Sequence, residues 1–193
     1  MKKVIRTAAM IALMFATATS MANDEKLSLE SKKESKSLVF EMDAQKETFI
    51  KLFDAENHII YSESVSAISY SKKFNLENVA DGNYYFTTED ALRKVTYTIS
   101  VRNSDVEIVS RKENAKPVFK IKDQIVYLNL LNLSKKDVKI EIYDSSNRLV
   151  FTEKRENEMI IEKAMNFNNA YNDQYTVVVK DNENTYYENI LIN

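Results

Sequence analysis

His58 is the one histidine of the 193-residue chain, so any imidazole base would have to be built on it. It follows Ala55-Glu56-Asn57, a turn-forming stretch, and neither a positioned nucleophile nor an orienting carboxylate can be read beside it. The position reads as a solvated turn residue. Carboxylates are plentiful, 29 in all, so a pair of acids for glycoside hydrolysis is allowed by composition. The chain has no Trp on which a sugar would stack, which makes it a poor glycosidase. Asp81, Asp173 with Asn172, and Asp181-Asn182-Glu183-Asn184 place hard oxygen donors in turns, the donor type calcium takes. None has D-x-D-x-D-G spacing, and Asp and Asn in turns are explained by bonds to their own backbone. With no Cys and a single Gly at Gly82, thiol chemistry, disulfides and Gly-rich phosphate loops are excluded. No catalytic residue, metal or organic cofactor is therefore expected, and the chain does not read as an enzyme.

Aromatic residues offer a different kind of site. Tyr84-Tyr85-Phe86, Tyr97, Tyr127, Tyr171, Tyr175 and Tyr186-Tyr187 are strand-rich positions, and Tyr is favoured at protein interfaces. In adjacent pairs on a strand one ring faces inward and the other outward. Tyr85 and Tyr187 are the outward nominees for a contact surface, against core packing and cross-strand pairing as the general role of these rings.

The elements that would carry these residues begin after an export signal. Lys2, Lys3 and Arg6 precede an uncharged run from Ala8 to Ala18, and Ser20-Met21-Ala22 supplies small residues for cleavage between Ala22 and Asn23. Residues 1–22 are expected to be removed, being too short to anchor in a bilayer, and no membrane insertion is expected. Their loss takes three basic residues and no acidic one, leaving a net charge of −5. A mildly acidic chain without a basic stripe argues against nucleic-acid binding. Residues 23–36 are almost wholly polar and read as a flexible spacer.

From Ser37 onward, β-branched and aromatic residues fall in runs of strand length. Val138, Ile140 and Ile142 alternate with Lys139 and Glu141, which sets one face in the core and one in water. Turn chemistry sits between the runs, and Asn must supply the left-handed positions that Gly usually fills. Glu158 to Phe167 admits a short helical turn. Lys51 to Glu63 aligns with Glu141 to Glu153 at an offset of 90, and Asn75 to Tyr84 with Asn166 to Tyr175 at 91. This duplication implies an all-β chain of two tandem antiparallel β-sandwich (Ig-like) units, at residues 37–113 and 114–193. Units this small are marginal alone, so the two are expected to pack on each other. Thr185 to Ile192 is an edge able to pair between chains.

The stretch Ile140 to Glu153, IEIYDSSNRLVFTE, followed by an Asn-rich corner and a Tyr-led strand, resembles the β-sandwich sorting domain of the type IX secretion system of Bacteroidota. Asn75 to Phe86, NLENVADGNYYF, is similar to that family's corner. The resemblance covers most of 48–101 and 138–192, and extends to small exported flavobacterial proteins built on the same two-unit plan. The expected role is a non-catalytic exported binding or structural module of the cell envelope, acting on protein or glycan through sandwich edges and loops. The alternative is a secretion-linked sorting domain forming the whole product. Either places the chain in the periplasm, at the cell surface or outside the cell.

Overall fold

The computed structural model describes residues 25–29, 36–43, 46–103 and 105–193. The expected signal peptide and its Ala22/Asn23 cleavage point lie outside them. Every regular element among the described residues is a β-strand.

Eight strands build the first unit: β1 (Glu25–Leu29), β2 (Ser37–Asp43), β3 (Thr48–Phe53), β4 (Ile59–Val65), β5 (Ser69–Asn75), β6 (Gly82–Glu89), β7 (Arg93–Arg102) and β8 (Asp105–Ala115). They form a three-stranded sheet, β1-β2-β5, and a five-stranded one, β4-β3-β6-β7-β8. The second unit has β9 (Val118–Lys122), β10 (Ile125–Leu131), β11 (Val138–Tyr143), β12 (Leu149–Arg155), β13 (Ile160–Asn166), β14 (Asp173–Lys180) and β15 (Thr185–Ile192). Its sheets run β13-β10-β9 and β12-β11-β14-β15. All pairings are antiparallel. Apart from β8, the two strand orders are the same, so the chain is two tandem Ig-like β-sandwiches.

Each sandwich closes over its own apolar cluster. In the first, Leu38, Phe40 and Phe74 meet Ile50, Phe86 and Ile99 of the facing sheet. The Phe86 ring lies 4.9 Å from Phe40 and 5.3 Å from Phe74. In the second, Val126, Leu128 and Ile161 meet Ile140, Val177 and Ile190. Period-two alternation produces this division: Ile50 and Leu52 point inward, and Phe49, between Thr48 and Ile50, is exposed.

The turns repeat as faithfully as the strands. Asp54 Oδ1 accepts the backbone N–H groups of Glu56 and His58, and Asp144 Oδ1 those of Ser146 and Arg148. Asp90 and Asp181 each accept two N–H groups within the following hairpin turn, at 2.6–2.8 Å. Tyr84 donates its hydroxyl to the Ala80 carbonyl and Tyr175 to that of Tyr171, at 2.7 and 3.1 Å. A hydroxyl reaching four residues back at the start of this strand is the tyrosine corner of Greek-key sandwiches. Positive φ falls on Asn57, Asn103, Asn147 and Asn157, with Asp123, Gln124 and Lys135, and not on Gly82. Asp123 and Gln124 form the two-residue connection between β9 and β10, whose left-handed pair matches the twist of a hairpin.

Four expectations are corrected. The stretch read as a flexible spacer contains β1, which pairs residue by residue with β2 and buries Leu27 in the first core. Its Glu, Lys and Ser residues hide the alternation that one buried leucine satisfies. Glu158 to Phe167 holds β13 and no helical turn: Ile161, Lys163 and Met165 turn inward while Ile160, Glu162, Ala164 and Asn166 are exposed, an alternation of period two. The expected boundary after Glu113 falls within β8, which continues to Ala115 before Pro117. The two units share no apolar cluster among the described residues. A polar contact links them instead: Lys112 Nζ of β8 donates to both carboxylate oxygens of Glu183, at 2.7 Å.

Candidate functional site

The groups with chemistry in them are built mostly into turns and sheet edges. One oxygen each of Asp54 and Glu56 and a ring nitrogen of His58 lie within 4.8 Å of one another. His58 Nδ1 is 2.9 Å from Asp54 Oδ2, and the ring is largely in solvent. In the second unit the same turn holds Asp144, Ser146 and Arg148, with Arg148 Nε donating to Asp144 Oδ2 at 2.7 Å. The Arg148 backbone N–H is the main influence holding the Asp144 carboxyl below its ordinary value. Histidine and arginine are interchangeable here only as donors to the turn aspartate. The arrangement is a clasp that ties each turn to its aspartate.

The other oxygen-rich turns behave alike. Asp81 Oδ2 accepts the Asn103 N–H at 2.8 Å, and Asp173 Oδ1 that of Gln174 at 2.8 Å. Asp181 is engaged as described above. These carboxylates order loops, and the sequence candidates Asp81, Asp173 and Asp181 do not converge on one point.

A second recurring group ties sheet to sheet. Glu63 on β4 accepts from Tyr61, from Tyr70 at 2.6 Å and from Lys72 at 3.0 Å, the last two on β5. The Tyr61 hydroxyl first, then the Tyr70 hydroxyl and the Lys72 ammonium, hold its carboxyl at about 2. In the second unit Lys163 donates to Glu153 at 2.5 Å and lies over the Phe151 ring at 5.2 Å, as Lys72 lies over Tyr61 at 4.5 Å. Phe151 has no hydroxyl and Ile161 stands where the first unit has Tyr70. The shared part is therefore the Lys–Glu latch over an aromatic ring.

Glu141 is covered on the outer sheet face by the stems of Lys139 and Lys180, whose ammonium groups sit at 2.6 and 2.8 Å. Lys139 first and Lys180 second hold its carboxyl at about 2, and Lys112 with Lys136 do the same for Glu183. Carboxyls depressed on folding stabilise the protein above the unfolded value near 4.5 and lose that contribution as pH falls towards 2. We expect the midpoint of thermal unfolding to drop across that window. Glu141→Gln should flatten the drop for the second unit, at a cost of about 1 kcal/mol near neutral pH given the exposed lysines. Unchanged acid dependence in that variant would remove Glu141 from the account.

One cluster has no counterpart in the second unit among the described residues. The side chain of Glu25 on β1 is largely buried, accepts from Thr88 Oγ1 at 2.8 Å, and lies 3.9 and 3.7 Å from the guanidinium groups of Arg93 and Arg111. Both arginines also pair with Glu113, at 3.1 and 2.8 Å. Burial pushes the Glu25 carboxyl up in spite of these partners. The cluster fastens β1 and β8 to the first sandwich along one side, where β8 covers the edge of β7.

The equivalent side of the second sandwich is different. β15 corresponds to β7, and among the described residues no strand lies beyond it. The in-and-out alternation of paired aromatics holds on it: Tyr186 packs against the core and Tyr187 is 65% exposed. Leu191, also 65% exposed, shares the outward face with Tyr187 and Asn189. Tyr85 lies half-buried on β6 of the first unit, opposite Phe53 and Thr98. Tyr85 and Tyr187 thus occupy sheets of different units. Sequence reasoning found Tyr187 and missed Leu191, although the two-residue period of β15 carries both.

No protein-family model and no curated protein matches the chain. Solved structures to which it is similar include a biofilm associated protein's BSP domain, at 13% identity over 88% of this chain and 29% of that one, with a TM-score of 0.29. A β-glucuronidase of an uncultured Clostridium is 10% identical over 81% of this chain and 35% of that one, TM-score 0.29. A two-domain fibronectin type III segment of chicken tenascin is 7% identical over 88% of this chain and 98% of that one, TM-score 0.28. The chain spans about a third of the length of the first two. Scores this low leave the fold to the strand order and the tyrosine corners described above. Among the described residues, no helix is long and apolar enough to cross a membrane.

Proposed function

We propose that the chain is a non-catalytic exported module of the cell envelope that binds protein or glycan, or holds structure there, through sandwich edges and loops. The observation that carries this reading is the repetition of the polar clusters. The His58 clasp recurs with Arg148, and the Tyr70–Glu63–Lys72 group recurs without its hydroxyls. Residues that can be exchanged for chemically inert partners while the geometry persists serve the fold. What distinguishes the units is surface, above all β15 with Tyr187 and Leu191, which no strand covers among the described residues. Export rests on Lys2, Lys3, Arg6 and the apolar run before Ala22.

The test is the intact mass and both terminal sequences of the protein recovered from separated periplasm, outer membrane and medium. A product running from Asn23 to Asn193 is the expected result. A surface or medium species lacking the second unit would favour the type IX-like sorting reading, with the first unit as cargo. A start at Met1 would overturn export.

A further inference from the structure

We propose that β15 pairs with β15 of a second copy of this chain, antiparallel and centred on Asn189, joining two four-stranded sheets into one of eight strands. The inference rests on the reading of the chain as a module that works through its sandwich edges, and names the partner of one edge.

The duplication within the chain shows what this edge accepts. In the first unit the corresponding strand, β7, is covered along its length by antiparallel β8, from Arg102↔Asp105 to Arg93↔Ala115. In the second unit, among the described residues, no strand covers the edge of β15. Natural edges are commonly blunted by lysine, proline or a bulge. The outer strands β1, β5, β8, β9, β12 and β13 each carry at least one Lys. β4 has none, but its pairing with β3 is interrupted by a bulge. The eight residues of β15, TYYENILI, contain no Lys, Arg or Pro, and its pairing with β14 runs without a bulge.

Side-chain placement selects both the occupant and the register. Opposed residues in an antiparallel pair share a face, so a two-fold contact of β15 with itself is centred on a single residue. Centring on Glu188 would set that strand's one charge against itself. Centring on Asn189 sets Asn189 against Asn189, Glu188 against Ile190, and Tyr187 against Leu191, twice by symmetry. The two exposed apolar side chains of the strand are spaced equally about Asn189, so each meets its complement on the second copy. Such a self-complementary patch is the signature of an isologous contact. Seven residues per strand bury less than the roughly 800 Å² per partner of a standard interface. The association is accordingly expected to depend on concentration.

The decisive experiment uses the chain from Asn23 to Asn193, measured by sedimentation equilibrium over a range of concentrations. The wild type is expected to pass from monomer to dimer. Asn189→Lys and Asn189→Asp each place like charges across the two-fold axis, and each alone should be monomeric. Mixing the two variants should restore the dimer, because Lys then faces Asp. Asn189 is exposed, and the Thr176 hydroxyl that donates to it at 2.9 Å lies on the same wet face, so both variants should keep the wild-type fold and melt as one population. A wild type that remains monomeric, dimers that persist in either variant, or a mixture that fails to dimerise would each overturn the proposal. Open-ended growth in mass would do so too, since it signals a head-to-tail contact. None of these results touches the terminal sequences, so the envelope-module reading stands or falls separately.

Discussion

Phe86→Ala should lower the stability of the first unit by about 3–5 kcal/mol, the usual cost of emptying a buried phenylalanine site. The ring is fully buried and touches Phe40, Phe74 and Tyr97 from both sheets, so the backbone cannot collapse into the space without moving two layers. A unit of about 80 residues has roughly 4–12 kcal/mol in total. The variant therefore brings the first sandwich close to unfolding at ordinary temperature. The second sandwich has its own apolar cluster and meets β8 through the Lys112–Glu183 pair. That exposed pair transmits at most about 1 kcal/mol. Calorimetry should show one transition displaced or lost and the other at its wild-type position. A single transition moving as a whole would mean that the units fold as one body.

A chain that starts at Lys36 should lose a comparable amount, about 2–5 kcal/mol, and again from the first unit alone. Removal of β1 takes Leu27 out of the core, breaks the ladder with β2, and leaves Thr88, Arg93 and Arg111 without the Glu25 carboxylate. It also exposes β2 as a new sheet edge, so aggregation should rise. Thermal unfolding of the shortened and full chains, read beside one another, checks this. An unchanged first transition would restore the spacer reading of that segment.

Both outcomes bear on how much of the fold the residues announce by themselves. The duplication is legible because Asp54 and Asp144, Asn57 and Asn147, and Tyr84 and Tyr175 hold fixed distances along the chain, and each does the same local work in its turn or corner. Local work leaves local traces. β1 is illegible for the opposite reason: its stability comes from β2 and from the distant Thr88, Arg93 and Arg111, not from its own pattern. β8 hides behind its charges, which suit a strand with one face in water. At the candidate site, Tyr187 is visible as one of an adjacent aromatic pair. The stretch Thr185 to Ile192 also reads as an edge; what its residues do not mark is the contrast with β7, which β8 covers, since among the described residues that difference is a property of topology.

Two neighbours with one strand order face a hazard during synthesis, when a strand of either unit can dock into its neighbour's sheet. Across the aligned stretches Lys51–Glu63 and Glu141–Glu153 only three of thirteen positions are identical, Asp54/Asp144, Asn57/Asn147 and Glu63/Glu153. All three belong to the turn clasp or the sheet latch, which act inside a hairpin or between successive strands. The apolar residues around them have been exchanged, Leu52 for Ile142 and Tyr61 for Phe151. A misplaced strand would bring the correct turn but differently branched side chains, and even a volume-conserving swap such as Leu for Ile costs up to about 1.5 kcal/mol. Divergence of the cores with retention of the turns thus works as an address, returning each strand to the sandwich in which it was encoded.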